Sequence, residues 1–572
     1  MSEVAPHWVV VGRAPGAVVL TALDAAGTVL STRGVSDAGL PAHVAALEAA
    51  GAVRWVWNDT PAWYPALLAA GVRVERCHDL RLVHTVLRDA VSVGDDHGLR
   101  TVTAWEAPGS EGPDAAPALF DLEGERGGPP STSDEVLVEF ERQRGAIAAS
   151  SDPARMRLLA AAESAGALVA AELRAAGLPW DADAHDRILA ETLGARPTSG
   201  ALPSHVASKA SEVRAALGDP TASLDSQPKL LRALHRVGVV VESTSRWELA
   251  RHEHPVVAPL IEYKRMMRLL TANGWHWLDE WIHDDRFRPV YVPAGVVTGR
   301  WASSGGGALQ IPRQLRAAVR ADEGWTLVVA DVAQLEPRVL AAMSRDEALA
   351  DAARGADLYG AIAERGGLEG REKAKLALLG AMYGATSGES GRLVPRLRRA
   401  YPRAMGLVDD AARVGEDGGV VSTWLGRTSP PPSEAWRRAQ SEASGIGTTE
   451  AETAQARRSA RDRGRFTRNF VVQGTAAEWA LAWLADLRNR LIALPEVAPA
   501  QAAAASGPVF GRRAHLAFFL HDEVIVHAPA EQAPAVAEAI ALAAASAGAL
   551  LFGSFPVDFR LDVRITDSAG KA

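Results

Sequence analysis

Three stretches of the chain carry strong and contrasting patterns of apolar and polar positions. In 371–384, REKAKLALLGAMYG, the residues Arg371, Lys375, Leu379 and Tyr383 fall four apart. A four-residue step turns an α-helix by about 400°, so these four share one slowly drifting face. The stretch therefore predicts a helix with two cations, an apolar residue and an aromatic along one stripe, Ala and Leu elsewhere, and Gly384 free to end it. In 327–344, LVVADVAQLEPRVLAAMS, and in 518–529, FFLHDEVIVHAP, continuous apolar runs predict buried strands that end in acid, at Asp331 and at Asp522-Glu523.

The remaining patterns divide the chain. Residues 1–106 read as a small α/β unit, with apolar runs at 8–11, 18–23 and 53–57 and a helical segment at 61–70. Residues 107–132 contain GSEGPDAAP and GERGGPPSTS, have little to bury, and read as a linker or long exposed loop. From residue 151 the pattern is helical: Asp152-Pro153 opens a helix that runs to Gly177, and Asp181 opens the next. Two more helical segments lie at 224–234 and 259–270.

Acids at the ends of buried strands are costly unless paired or bound to a cation. Asp331 and Asp522, brought together from distant parts of the chain, suit two divalent cations about 4 Å apart, an arrangement that activates an attacking oxygen and steadies a leaving one. Arg371 and Lys375 suit a triphosphate, which they would hold by charge-assisted hydrogen bonds worth roughly 1.5–3 kcal/mol each. Carboxylates, basic helix, carboxylates is an order that phosphoryl transfer would need.

At these residues the chain resembles the family A DNA polymerases, the class of bacterial DNA polymerase I. The first segment is similar to the family's first palm motif at Asp331, Gln334, Glu336 and Arg338. The second is similar to its fingers helix at Arg371, Lys375, Tyr383 and Gly384, and the third to its His-Asp-Glu hairpin at His521, Asp522 and Glu523. Two further stretches agree, VTGRWASS at 297–304 followed by LQIP at 309–312, and NFVVQGTAAEWALAWLADL at 469–487. All five occur in the family's order.

The resemblance implies an α+β fold: a right-hand polymerase of palm, fingers and thumb behind an α/β ribonuclease H-like, exonuclease-type domain. The implied divisions are 1–106 for a degenerate 3′–5′ exonuclease-like domain, 107–150 for a connecting segment, and 151–287 for the thumb and its base. The palm would take 288–344 and 469–572, with the fingers at 345–468 between them. Asp331, Asp522 and the carbonyl of Val332 would hold two Mg²⁺ ions, with Mn²⁺ as a substitute, and Glu523 would support the metals or the primer end. Gln334, Glu336, Arg371, Lys375, Leu379 and Tyr383 would form the nucleotide pocket. Arg300, Gln310, Arg338, Gln473, His521, Lys264, Arg265 and Arg268 would contact DNA. Glu336 matches the residue that blocks a ribose 2′-hydroxyl in this family, which implies deoxynucleotides.

The chain departs from the family pattern in places. No Asn stands between Gln310 and Ile311-Pro312, Leu379 replaces the usual aromatic, and Tyr359 stands where a phosphate-facing His is common. In the exonuclease-like unit, Asp24 is followed by Ala25 and Ala26 where a metal-binding Asp-x-Glu is wanted, and Ala62 and Trp63 stand where a second acid belongs. No tyrosine occurs between Tyr64 and Tyr263. The expectation is an exonuclease fold without its metal site.

Composition narrows the setting. At 572 residues, 48% hydrophobic and 23% charged, the chain is an ordinary globular mix of about two to four domains. One cysteine, Cys77, rules out a disulfide framework and a Cys-rich zinc site. No charged-then-apolar leader is evident and no uncharged apolar run approaches the ~20 residues of a membrane span, so a cytoplasmic monomer is expected. The net charge of −8 is offset locally by Arg457, Arg458, Arg461, Arg463, Arg465 and Arg468, interrupted only by Asp462, a run suited to single-stranded template or simply to solvent. Nothing precedes the exonuclease-like unit in this sequence, which points to gap filling or repair synthesis. The alternative is a catalytically silent scaffold that binds primer–template DNA.

Overall fold

The computed structural model describes residues 5–51, 53–109, 128–198, 200–355, 357–384, 388–443 and 448–570. Most of the expected loop at 107–132 thus lies outside the described residues. The N-terminal unit is a five-stranded sheet of order β3-β2-β1-β4-β5, built from β1 (Trp8–Ala14), β2 (Ala17–Leu23), β3 (Val29–Val35), β4 (Arg54–Trp57) and β5 (Arg76–Asp79). β1, β2 and β3 form an antiparallel meander, and β4 and β5 run parallel to β1. A two-residue turn joins β1 to β2, and Gly16 at φ 74° supplies the positive φ that such a turn needs.

The strand boundaries correct the expected place of Asp24. It lies beyond the end of β2, where its carboxylate accepts the Thr28 amide at 2.8 Å and closes a turn. β1 itself, WVVVGRA, carries no acid. The buried acids of this unit are Asp59 and Asp79, at the C-terminal ends of β4 and β5. Arg81 Nε bonds Asp59 at 2.9 Å, and Asp79 accepts the Thr60 amide at 2.8 Å and caps α1 (Leu80–Asp89) through the Leu82 amide at 3.0 Å. These carboxylates close the strand ends.

Two helices join this unit to the rest. α2 (Ser133–Ala149) starts at a capping box between Thr132 and Glu135. α3 (Pro153–Ala176) has Asp152 as N-cap and stops at Gly177, φ 70°, as its pattern predicts. Leu168 and Ala176 of α3 belong to the N-terminal core while Leu159 and Val169 belong to the large central one, so one helix closes both. A buried ionic knot ties the same parts: Tyr64 donates to Glu172 at 2.6 Å, Arg488 Nε reaches Glu172 at 3.0 Å, and Arg488 Nη1 reaches the Glu75 carbonyl at 2.6 Å. Further on, α4 (Val257–Asn273) packs Leu260, Tyr263, Met266 and Leu269 inward at helical spacing.

The central sheet has order β7-β8-β6-β9, all antiparallel, from β6 (Trp325–Val332), β7 (His515–Leu520), β8 (Glu523–Pro529) and β9 (Leu561–Thr566). Every residue of β6 is buried except Asp331. α5 (Leu335–Ser344) leaves the end of β6. α6 (Arg371–Tyr383) is the striped helix, terminated by Gly384 in the left-handed region at φ 75°. α7 (Pro402–Glu416) packs along α8 (Glu450–Ile492), 43 residues long, whose C-terminal half crosses the sheet region.

α9 (Ala533–Phe552) corrects one expectation. Among the described residues it belongs to one segment, Ala530–Phe552, that is long and apolar enough to cross a membrane. Its Val536, Ile540, Ala543, Ala547 and Leu551 instead enter the central core, and it packs against β6 and α8. The apolar run is the composition of a core helix.

Candidate active site

Pairing register brings the acids together. β6 pairs with β8 so that Asp331 lies opposite Glu523, and β7 and β8 close a hairpin in which Leu520 faces Glu523 across the two-residue turn His521-Asp522. His521 takes φ 54°, a conformation uncommon outside glycine but enriched in His at tight turns. The Val332 amide donates to the Asp522 carbonyl at 2.9 Å and fixes the hairpin tip beside the end of β6. Burial, then the Asp331 charge, push the Asp522 carboxyl up to about 6. Two neighbouring carboxylates that resist ionising together are oxygen donors of the kind a hard divalent cation takes. Among the described residues no group of three or more His, Cys, Asp or Glu forms a closed metal cage.

Glu523 behaves differently from its neighbour. Both of its oxygens are taken by Arg316, at 2.5 and 2.6 Å, in a bidentate pair. The pair anchors the root of the hairpin to the 3₁₀ segment Arg313–Ala318, and the expected role of Glu523 at the metals or primer end would require it to open. The sequence does not single out Arg316 for this, because nothing in local spacing links positions 316 and 523.

A cavity of about 210 Å³ opens beside Asp522. Gln334 and Glu336 at the start of α5, Leu379 and Tyr383 of α6, Arg300, and Ala476 and Ala480 of α8 line it, with His521 and Asp522 at one end. The Tyr383 hydroxyl donates to Glu336 Oε2 at 2.6 Å, and Arg300 forms an ion pair with the other Glu336 oxygen. Burial and the Glu336 carboxylate raise the Tyr383 hydroxyl above its ordinary value and keep it a donor. Gln334, at φ 54°, turns the chain from β6 into α5, and its buried Oε1 has no hydrogen-bond partner. A wall with a clamped carboxylate and an aromatic suits a polar ligand with a flat portion.

The cationic half of α6 lies outside this wall. Lys375 is exposed. Arg371 bonds Asp357 at 3.2 Å and lies over the Tyr359 ring at 5.5 Å, and Tyr359 in turn lines the cavity. The four-residue stripe thus runs from cavity wall to open surface within two turns.

Several expected DNA contacts are placed elsewhere. Arg338 is fully buried, with Nε on the Ala333 carbonyl at 2.7 Å and Nη1 on the Ala353 and Asp558 carbonyls at 2.6 Å each. It braces the backbone and is removed from DNA. Lys264 donates to the Thr244 carbonyl at 3.0 Å and is engaged there, while Arg265, in a surface pair with Glu262 at 2.7 Å, and Arg268 are exposed. Arg300 turns to Glu336. Gln473 is half-buried on α8, and the side chain of Gln310 lies outside the described residues.

The basic run divides as well. Arg463 bonds the Gly419 and Pro430 carbonyls at 2.9 and 3.0 Å, Arg465 pairs with Asp462, and Arg468 bonds the Ala381 carbonyl at 2.6 Å and pairs with Asp409. Arg457, Arg458 and Arg461 stay exposed.

Comparison with known proteins agrees with this geometry. The DNA polymerase family A profile matches residues 227–570, more than half of the chain, and the chain belongs to that family. Among curated relatives, it is 26% identical over 349 residues to the thermostable DNA polymerase I of Thermus filiformis, covering 56% of this chain and 36% of that protein. It is 28% identical over 307 residues to DNA polymerase I of Chloroflexus aurantiacus, covering 49% of this chain and 29% of that one. The chain thus spans about a third of the length of these relatives. Among solved structures, the POL domain of Pol1 from M. smegmatis, in complex with DNA primer-template and dNTP, superposes with a TM-score of 0.62 at 16% identity. That likeness covers 98% of this chain and 95% of the other, and at this identity it establishes the right-hand polymerase fold with its N-terminal α/β unit.

Proposed function

We propose that the chain is a DNA-directed DNA polymerase, a nucleotidyltransferase that extends a primer 3′ end with deoxynucleotides chosen by a template. The observation that carries this reading is the proximity of Asp331 to Asp522, with Asp522 lining a cavity shared with Glu336, Leu379 and Tyr383. Family membership and a structural neighbour that holds primer-template DNA and a dNTP support it.

Asp331, Asp522 and the Val332 carbonyl would hold two Mg²⁺ ions, with Mn²⁺ as a substitute; the low number of protein ligands suits Mg²⁺, which keeps waters and takes substrate phosphates as its other ligands. When bound, the ions supply charge neutralisation and polarisation of phosphate oxygens. Lys375 and Arg371 hold the triphosphate, Arg371 after exchanging Asp357 for a phosphate oxygen. Glu336, clamped by Arg300 and Tyr383, stands where a ribose 2′-hydroxyl would go and selects deoxynucleotides. Leu379 and Tyr383 pack on the nascent pair, and Gln334 and His521 complete the pocket. Gln310, Gln473, Arg268 and the exposed arginines of α8 contact the primer–template. Primer hydroxyl attack on the α-phosphorus then releases pyrophosphate, and the chain's contribution is positioning and charge. An N-terminal unit without metal-binding acids on β1 supports repair or gap filling without proofreading.

Primer extension with Mg²⁺ tests this. Wild type is expected to add nucleotides. Asp331→Asn and Asp522→Asn are expected to lose about a thousandfold in rate, equivalent to about 4 kcal/mol, with primer–template affinity within about twofold. A wild-type chain that binds primer–template but extends nothing in Mg²⁺ or Mn²⁺ would establish the scaffold reading instead.

A further inference from the structure

The N-terminal unit lacks carboxylates on β1, yet its opposite end is strongly cationic. In the parallel pair β4–β5, Arg54 stands directly against Arg76. Like charges in adjacent register repel. Arg76 reaches Glu75 at 3.9 Å. For Arg54 the structure gives no carboxylate within ion-pair distance among the described residues, and its guanidinium lies over the Trp8 ring at 5.6 Å.

A third arginine is built into the same place. Arg144 of α2 donates to the Ala26 carbonyl at 2.7 Å and packs against Gly27, φ 93°, where any Cβ would collide with the guanidinium. The β2–β3 turn thus fixes the Arg144 guanidinium, which also lies over the Phe140 ring at 5.5 Å. Arg157 of α3 stands exposed at the rim.

These groups surround a cavity of about 670 Å³ whose wall includes His7, Trp8, Arg54, Arg144 and Arg157, with the exposed Glu141 as the one acid in it. The arginines of this wall outnumber its one acid, and guanidinium donors pair best with an anion that offers several oxygens. The field is positive: desolvation first, then Arg54, Arg76 and Arg144, hold the His7 imidazole below its ordinary value. The volume is that of a site for a nucleotide-sized molecule. No residue of this wall belongs to the cavity beside Asp522.

We propose that this cavity is a second ligand site, which binds a small phosphorylated molecule of nucleotide size through Arg54, Arg144 and Arg157. The phosphate meets the arginines, and the Trp8 and His7 rings offer a surface to a base.

Isothermal titration of the full chain in EDTA, with deoxyadenosine monophosphate and separately with inorganic phosphate, tests the site while leaving the Asp331–Asp522 pair without cations. Saturable binding of either probe is expected, tighter for the nucleotide if the rings take part and equal if the phosphate alone is held. Arg54→Gln should weaken it at least tenfold. Arg157→Gln, at an exposed position that does not endanger folding, should weaken it about threefold, and primer extension by both variants should match wild type. Lys375→Gln should bind as wild type does. Absence of saturable binding to wild type up to about 10 mM, or binding that survives Arg54→Gln and Arg157→Gln but is lost in Lys375→Gln, overturns the proposal.

Discussion

Replacing Arg316 by Met separates the two adjacent acids of the hairpin. Arg316 holds both oxygens of Glu523 at 2.5 and 2.6 Å, and the two side chains are only 17% and 9% exposed. Removing one partner of such a pair leaves the other charge buried, at a cost of about 3–5 kcal/mol; the partial exposure of Arg316 places the expected loss near 3 kcal/mol. The orphaned Glu523 would also sit next to Asp522 and opposite Asp331, adding a third uncompensated carboxylate to a pair that already resists ionising together. Urea unfolding of Arg316→Met, Glu523→Gln and the double variant measures the coupling, which is expected to be about 2 kcal/mol or more, with the double variant recovering most of the loss. In primer extension, Glu523→Gln is expected to stay within about tenfold of wild type, against about a thousandfold loss for Asp522→Asn. Additive single effects on stability, or a Glu523→Gln variant as inactive as Asp522→Asn yet fully stable, would show that Glu523 meets the reactants and that its pairing with Arg316 is incidental.

Three further outcomes are expected. Leu379 lines the cavity without a ring, so Leu379→Phe should add a stacking contact of about 0.5–1.5 kcal/mol and lower the nucleotide KM and misincorporation together by roughly two- to tenfold, while Leu379→Tyr should also raise dideoxynucleotide acceptance; unchanged single-nucleotide insertion kinetics in both would remove Leu379 from the nucleotide. Buried Glu478 accepts the Leu425 amide at 3.0 Å, and burial raises its carboxyl to about 7 from an ordinary 4.5. A raised folded-state value means stability present at acid pH and lost as pH climbs through 7, so unfolding free energy should fall by on the order of 3 kcal/mol between pH 4.5 and 8, and Glu478→Gln should flatten that slope; an unchanged slope in the variant assigns it to other groups. Metal-dependent 3′–5′ degradation of single-stranded or mismatched primers should be absent, because β1 carries no acid and Asp24 closes a turn; degradation that persists in Asp331→Asn would place a working metal site in the N-terminal unit.

Local order is legible in the sequence itself. The four-residue stripe of 371–384, its end at Gly384, the strands that finish at Asp331 and Asp522, and the helix from Pro153 to Ala176 all follow from short-range periodicity and capping. The family's motifs also assign Glu336, Leu379 and Tyr383 to one pocket, and one cavity wall holds them, together with Arg300 and His521, which the motifs assign to DNA. Charge partners are another matter. Composition does not say that Arg338 is buried among carbonyls, that Lys264 is held by Thr244, or that two arginines of the α8 run, Arg463 and Arg468, brace neighbouring segments while the other four stay exposed. A helix or strand is specified by residues within a few positions of one another. An ion pair between Arg316 and Glu523, or the meeting of Arg54, Arg144 and Arg157 around one cavity, depends on which surfaces the packed core brings face to face, and only the tertiary structure decides that.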